Sequence, residues 1–221
     1  MSATQSSSWN WRKLLKLRPL VRKFVEMRQG VEVWKFSRSK YSVAVIWEEL
    51  REKQEKVSWH RFLWRPMAIP KHVFITWMAI LNRLPTMDRL KAWGIEMGEL
   101  CSFCQDSLET RNHIFFCCSY SKTLWKHILL LCGLHREVGN WEEEISWAMR
   151  RIKGKSLISV ILSTAWKAYI YHVWQERNRR LHSKPPSSPE QILEQIKEEI
   201  RIRLTSLKVA NDDVNRHLSV N

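Results

Sequence analysis

The chain has 221 residues, a formal net charge of +15, five cysteines, thirteen tryptophans and only six glycines. That length holds one or two domains with a sizeable core, so folding needs no disulfides, and it is too short for both a polymerase and a nuclease domain. No run of eighteen apolar residues occurs, so no membrane-spanning helix is expected, and the 44% hydrophobic and 27% charged fractions fit a globular chain better than a disordered one.

The pattern along the chain predicts helices. Trp11, Leu14 and Leu15 begin a short basic helix that Pro19 interrupts. Ser42 can cap a helix through Val45, Ile46, Glu49 and Leu50. Pro70 suits the first position of a helix carrying Val73, Phe74, Trp77, Met78 and Leu81, apolar nearly all round and therefore expected to be buried. Asn82 to Pro85 form a break. Thr86 can cap the next helix, which passes Leu90 and Trp93 and stops at Gly94. Residues 95–112 read as loop.

A helix from about Ser121 carries Leu124, Trp125, Ile128 and Leu129 and stops at Gly133. Asn140 caps a helix whose first turn holds Glu142, Glu143 and Glu144, favourable at the positive end of the dipole. Residues 156–182 form the longest pattern, with Ile158, Ile161, Leu162, Ala165, Tyr169, Val173 and Trp174 on one broad face. A stiff linker at 184–189 leads to a last helix with Ile192, Ile196, Ile200, Leu204 and Leu207 on a narrow stripe, where Glu199 and Arg203 stand four apart. No run of alternating strand residues stands out, and no internal repeat. The expected fold class is mainly α: a helical domain with a small loop region around the cysteines, plus C-terminal helices.

Charge is uneven. Residues 1–40 carry a net +8, residues 41–100 +2, residues 101–150 −1 and residues 151–221 +6. Basic flanks around a neutral centre suit a polyanion such as RNA or DNA; the plainer reading is a high-pI protein without one. The N-terminus has no apolar core of a secretory signal. Residues 1–25 lack acids, as a transit peptide does, but Trp9, Trp11 and Pro19 do not fit that pattern.

All five cysteines lie between Cys101 and Cys132. An odd count in one cluster argues against a secreted disulfide scaffold and for an intracellular, reducing compartment, nucleus or cytoplasm. Cys101, Cys104, His113 and Cys118 read C-x2-C-x8-H-x4-C. Three thiolates and an imidazole suit Zn²⁺, fill its four tetrahedral positions and leave none for water, so the site is expected to be structural. Thiolates disfavour Mg²⁺ and Ca²⁺. The rival is a small apolar cluster of buried thiols beside an ordinary histidine. On an unbroken helix Cys117, four residues from His113, shares its face, whereas Cys118 is rotated off it. Cys118 works only if the helix ends or tightens there, with Ser119 or Ser121 capping the next.

These residues carry a resemblance. Ile69-Pro70-Lys71-His72-Val73-Phe74 through Trp77, Leu81 to Leu90, Trp93-Gly94, the Cys101 and Cys104 knuckle, Glu109 to Phe116, Cys118, and Ser121 to Trp125 together resemble the reverse transcriptase zinc-binding domain of plant LINE-type (non-LTR) retrotransposon proteins. In that pattern the last cysteine stands five positions after the histidine, which selects Cys118. Ser8 to Leu15 and Trp174 to Arg180 are similar to the flanks of that domain. The stretch between Trp34 and Tyr41 is shorter than in the family. The resemblance implies a remnant of a retroelement protein, Zn as cofactor, and a domain that positions template beside a polymerase. The chain itself has no Tyr-x-Asp-Asp motif. Its four aspartates, Asp88, Asp106, Asp212 and Asp213, cannot supply a three-aspartate site for nucleotidyl transfer.

The expected organisation is a basic flank at 1–40, the zinc-binding domain at 41–130, a helical segment at 131–183, the linker at 184–189, and an amphipathic helix and tail at 190–221. The expected role is non-catalytic binding of RNA or DNA without sequence preference, with no membrane and no small-molecule substrate. Arg12, Lys13, Lys16, Arg177, Arg179 and Arg180 are the candidate phosphate contacts. Phe103 can stack on a base or close the small core over the metal. Trp47, Trp77, Trp125, Trp166 and Trp174 are expected in the core, while Trp9, Trp11 and Trp34 lie among basic residues where stacking is an option. His60, His72, His127, His135, His172, His182 and His217 have no ligand partner at suitable spacing. The alternatives are a zinc-stabilised scaffold whose 190–207 stripe docks a partner helix, or a remnant without present function.

Overall fold

The computed structural model describes residues 22–34, isolated positions at 15, 16, 19, 47, 48, 51 and 52, and 55–205 with breaks at 66, 67, 97 and 155. The chain divides into two units, Met1–Lys56 and Val57–Asn221. The expected helix at 11–15, most of the one at 42–50, and Arg12 and Lys13 lie outside the described residues.

The first unit overturns the expectation of no strands. β1 (Val25–Arg28) and β2 (Val31–Trp34) form an antiparallel hairpin, with Val25 opposite Trp34 and Arg28 opposite Val31. Gln29 and Gly30 form a two-residue turn with φ of 51° and 78°, both positive, as the turn that matches strand twist requires. The signal was present: Val25, Met27, Val31 and Val33 alternate with charged residues around a Gln-Gly turn.

Among its described residues the second unit is built from helices: α1 (His60–Leu63), α2 (Pro70–Ile80), α3 (Met87–Ala92), α4 (Ser119–Leu131), α5 (Trp141–Arg151), α6 (Leu157–Leu181) and α7 (Pro189–Thr205). Pro70 opens α2, and Gly133 follows α4 at φ 68°, where Leu134 N–H returns to the Leu129 carbonyl at 2.9 Å. Asn140 caps α5 through a reciprocal pair with Glu143, at 3.1 and 2.8 Å.

α6 is the central element. A single apolar face was expected, but Trp166, Ala168 and Ile170 are buried as well. The reason is that α6 is covered from several sides, by α2, by α4 and by α7. Each such large side chain contributes about 1.5–3 kcal/mol on burial. Phe116 meets Trp125, Trp141, Trp166 and Tyr169 with ring centroids 5.6 to 6.2 Å apart. Trp125, Trp166 and Trp174 are core residues as expected. Trp47 is exposed, Trp77 only half-buried, and Phe74 on α2 is 54% exposed, so α2 is not buried all round.

The α7 stripe closes the core. Ile192, Ile196, Ile200 and Leu204 are buried against α4 and α6. Among the described residues, no helix is long and apolar enough to cross a membrane.

Candidate metal centre

The segment between α3 and α4 folds back on itself. Leu100 and Leu108 form an isolated antiparallel bridge, Cys101 N–H donates to the Ser107 carbonyl at 2.8 Å, and Glu109 N–H to the Glu99 carbonyl at 2.9 Å. Inside this loop Gln105 N–H reaches the Cys101 carbonyl at 2.9 Å, and Gln105 takes φ 55° to make the turn. The turn brings the Cys101 and Cys104 sulfurs to one side.

His113 and Cys118 arrive from the next segment. Residues His113–Cys117 form one wide helical turn in which Cys118 N–H bonds to the His113 carbonyl, five residues back, at 2.7 Å. An ordinary helix bonds four residues back; this wider π turn bonds five back, and the chain then leaves the helix at Cys118, whose sulfur joins the His113 cluster. The helix ends there, as Cys118 requires, by widening and not by tightening, and Cys118 itself, not Ser119 or Ser121, stands at the cap of the next helix. Cys118 itself is extended, with φ −65° and ψ 135°, and opens α4. Its sulfur is buried in the cluster and Cys117 is exposed.

The ligand atoms of Cys101, Cys104, His113 and Cys118 all lie within 4.8 Å of one another. Cys101 Sγ and Cys118 Sγ are 3.8 Å apart, and Cys104 Sγ and His113 Nε2 are 3.4 Å apart. Bonds of about 2.3 Å to sulfur and 2.0–2.1 Å to nitrogen give a tetrahedron with S···S edges of about 3.8 Å and S···N edges of about 3.5 Å. The Cys101–Cys118 and Cys104–His113 separations match those edges. Cys101 donates its S–H to Cys118. That contact and burial push the Cys101 thiol up, and the same contact holds Cys118 below its ordinary value. Two thiolates this close need a cation between them, and a dication would take the place of the shared proton. Burial lowers the His113 pKa, which keeps its imidazole neutral and fit to ligate.

Residues 41–125 match the family described as zinc-binding in reverse transcriptase. The four clustered residues of this zinc-binding match all fall inside it, and it ends within α4, before α5, α6 and α7. Neither a curated protein nor a solved structure matches the chain.

Three side chains hold this zinc-binding region against the helices. Glu109, in the knuckle loop, is fully buried and pairs with Arg177 of α6 at 2.6 Å, while accepting from Met87 N–H at 3.1 Å. Arg177 also donates to the Pro85 carbonyl at 3.1 Å and stands over the Trp174 ring. Tyr169 of α6 directs its hydroxyl at the carbonyls of Phe115 and Ser121, the first inside the π turn. Such a turn leaves carbonyls without intrahelical partners, and Tyr169 supplies one. Neither Glu109 nor Tyr169 was singled out for such a role, since each acts through a partner far away in the chain.

The expected phosphate contacts fare differently. Arg177 is corrected: it is 3% exposed and spent on Glu109. Arg180 bonds Glu176 at 2.9 Å and covers the rings of Phe103 and Tyr120. Phe103 stacks on Tyr120 at 4.5 Å, so it closes the small core beside the cysteines instead of offering a free face. Arg179 keeps 44% of its side chain exposed, and Lys16 is exposed. Trp9 and Trp11, like the side chain of Trp34, lie outside the described residues. The reading of His72 and His172 as partnerless is overturned: both meet Glu199, at 3.2 and 3.0 Å.

Proposed function

We propose that the chain is a non-catalytic, zinc-stabilised nucleic-acid-binding module of plant LINE-type retroelement ancestry. The observation that carries this is the closed Cys3His set inside the zinc-binding family match. Four protein ligands leave no position for a reacting water, so the metal acts as a staple. The free thiols suit a reducing compartment, nucleus or cytoplasm.

Support for a nucleic-acid partner begins with the net charge of +15. With Arg177 and Phe103 occupied, the better-suited surface is a cleft of about 300 Å³ lined by Ser58, Arg61, Arg65, Met149, Ile152 and Lys153. Those lining residues include no carboxylate. Trp64, 51% exposed, follows directly from the same segment and lies 6.5 Å from the Trp77 ring. Arg65 is engaged by the Ile152 and Gly154 carbonyls, which leaves Arg61 and Lys153 as the exposed cations for phosphates, and Trp64 on the same segment as the exposed ring for an unstacked base. The scaffold reading loses its feature, because the Ile192 to Leu204 stripe is spent in the chain's own core.

Binding of single-stranded RNA and DNA, titrated across salt, tests the partner. Phosphate contacts release counterions, so log affinity should fall steeply with log salt, and Arg61→Ala with Lys153→Ala should flatten the slope by roughly one per lost contact. A slope near zero overturns the partner. Metal content tests the staple: Cys118→Ser should lose zinc and Cys117→Ser should retain it. The reverse pattern overturns the ligand set.

A further inference from the structure

A second cluster of ligand atoms lies away from the cysteines, where three helices meet. His72 of α2, His172 of α6 and Glu199 of α7 offer three ligand atoms within 4.8 Å of one another. Glu199 Oε2 is 3.2 Å from His72 Nε2 and 3.0 Å from His172 Nε2. The other oxygen, Oε1, is held by Lys71 Nζ at 3.4 Å. His72 is 1% exposed, yet neither of its ring nitrogens has an aligned hydrogen-bond partner. A buried imidazole ordinarily satisfies both nitrogens. Here Nε2 stands 3.2 Å from a carboxylate oxygen that His172 already occupies, without being aligned on it.

We propose that His72, His172 and Glu199 form a second metal site, of the two-histidine, one-carboxylate type, for a borderline divalent ion such as Zn²⁺ or Co²⁺. Bonds of about 2.0–2.2 Å to nitrogen and oxygen need tetrahedral edges of about 3.4 Å, a few tenths more than the two separations observed. The ion accounts for the unpartnered His72 Nε2, which becomes a ligand. It accounts for the convergence of two imidazoles on one carboxylate oxygen. Lys71 then orients the carboxylate by its non-ligating oxygen, as outer-shell partners do. Three protein ligands leave one position for water, and Glu199, 26% exposed, lies at the edge of the site. Nitrogen and oxygen donors separate this site chemically from the thiolate-rich one. The ion would tie α2 and α7 to α6, and it stands independently of the proposed nucleic-acid role.

Cobalt titration of the metal-stripped full-length chain tests the proposal. Two equivalents are expected in the wild type: one with an intense thiolate-to-cobalt charge-transfer band, and one with visible ligand-field bands alone. Glu199→Gln and His172→Ala should each remove the second equivalent, weakening it by about a hundredfold or more, and leave the charge-transfer band intact. Cys104→Ser should do the opposite. In the wild type alone, the second equivalent of Zn²⁺ should shift the imidazole ¹⁵N signals of His72 and His172, a reading that needs no folded variant. One equivalent in the wild type, or a second equivalent unaffected by Glu199→Gln and silent at both imidazoles, overturns the site.

Discussion

Tyr169 shows how one hydroxyl sets the geometry of the metal cluster. It is fully buried, and its only polar atom is directed at the Phe115 carbonyl, inside the turn that swings Cys118 under His113. Tyr169→Phe keeps the ring and removes the donor. An unsatisfied buried carbonyl costs about 1–3 kcal/mol, so the urea midpoint should fall accordingly. Zinc affinity should fall with it, because the wide turn loses the contact that favours it. Unchanged stability and affinity would show that the turn holds itself. Cys118 was legible only through the family resemblance. Helical periodicity pointed to Cys117, because a wide turn is a tertiary choice that spacing alone does not encode.

At the scale of elements, the knuckle loop is anchored to α6 by an ion pair removed from water. Glu109 is 0% and Arg177 3% exposed. Removing one partner of such a pair leaves an uncompensated buried charge, at about 3–5 kcal/mol. Arg177→Ala should therefore unfold at a much lower denaturant concentration. Glu109→Gln combined with Arg177→Met should recover most of that loss, since Gln still accepts from Met87 N–H and no charge stays buried. Equal losses in the single and double variants would contradict this account. If Arg177 contacted phosphate instead, Arg177→Met with Glu109→Gln would flatten the salt dependence of nucleic-acid binding. No flattening is expected. The helices at 70 and 141 were readable from Pro70 and Asn140, whose start and cap preferences act within a few residues; Ser156 as a cap and Pro189, placed in the linker, as the first residue of α7 were not singled out.

For the molecule as a whole, stability carries a pH signature from Lys167 in the middle of α6. Its ammonium nitrogen meets Ser163 Oγ at 2.5 Å and the Phe62 ring at 5.2 Å, with no carboxylate among these partners. Burial, reinforced by Arg65, pushes its pKa from 10.5 down to about 7. Between those values the unfolded chain binds a proton that the native chain does not. Stability from this group therefore rises as pH climbs from about 7 towards 10.5, and is lost as pH falls to 7. Lys167→Met removes the group, so its stability advantage over wild type should be largest near pH 7 and shrink as pH rises to 9. Urea denaturation of both proteins at three pH values measures this. A constant difference would mean that Lys167 stays charged in the native state.

Local pattern in the chain was enough for the helical class, for most helix starts and stops, and for Cys101, Cys104 and His113 as ligands; Cys118 over Cys117 came from the family resemblance. These rest on short-range chemistry: a cap, a proline, a thiol pair on a tight turn. Composition also set the excess charge, though not where it is free to act. Tertiary structure alone decided that Arg177 faces Glu109 instead of solvent, that the α7 stripe is already covered, and that His72, His172 and Glu199 share one point. Residues 127 positions apart, such as His72 and Glu199, meet only because three helices bury their faces on one another, and no local pattern carries that information. Three of the five cysteines converge with His113 through a local loop and turn, whereas the second cluster is made of ordinary helix residues brought together by packing.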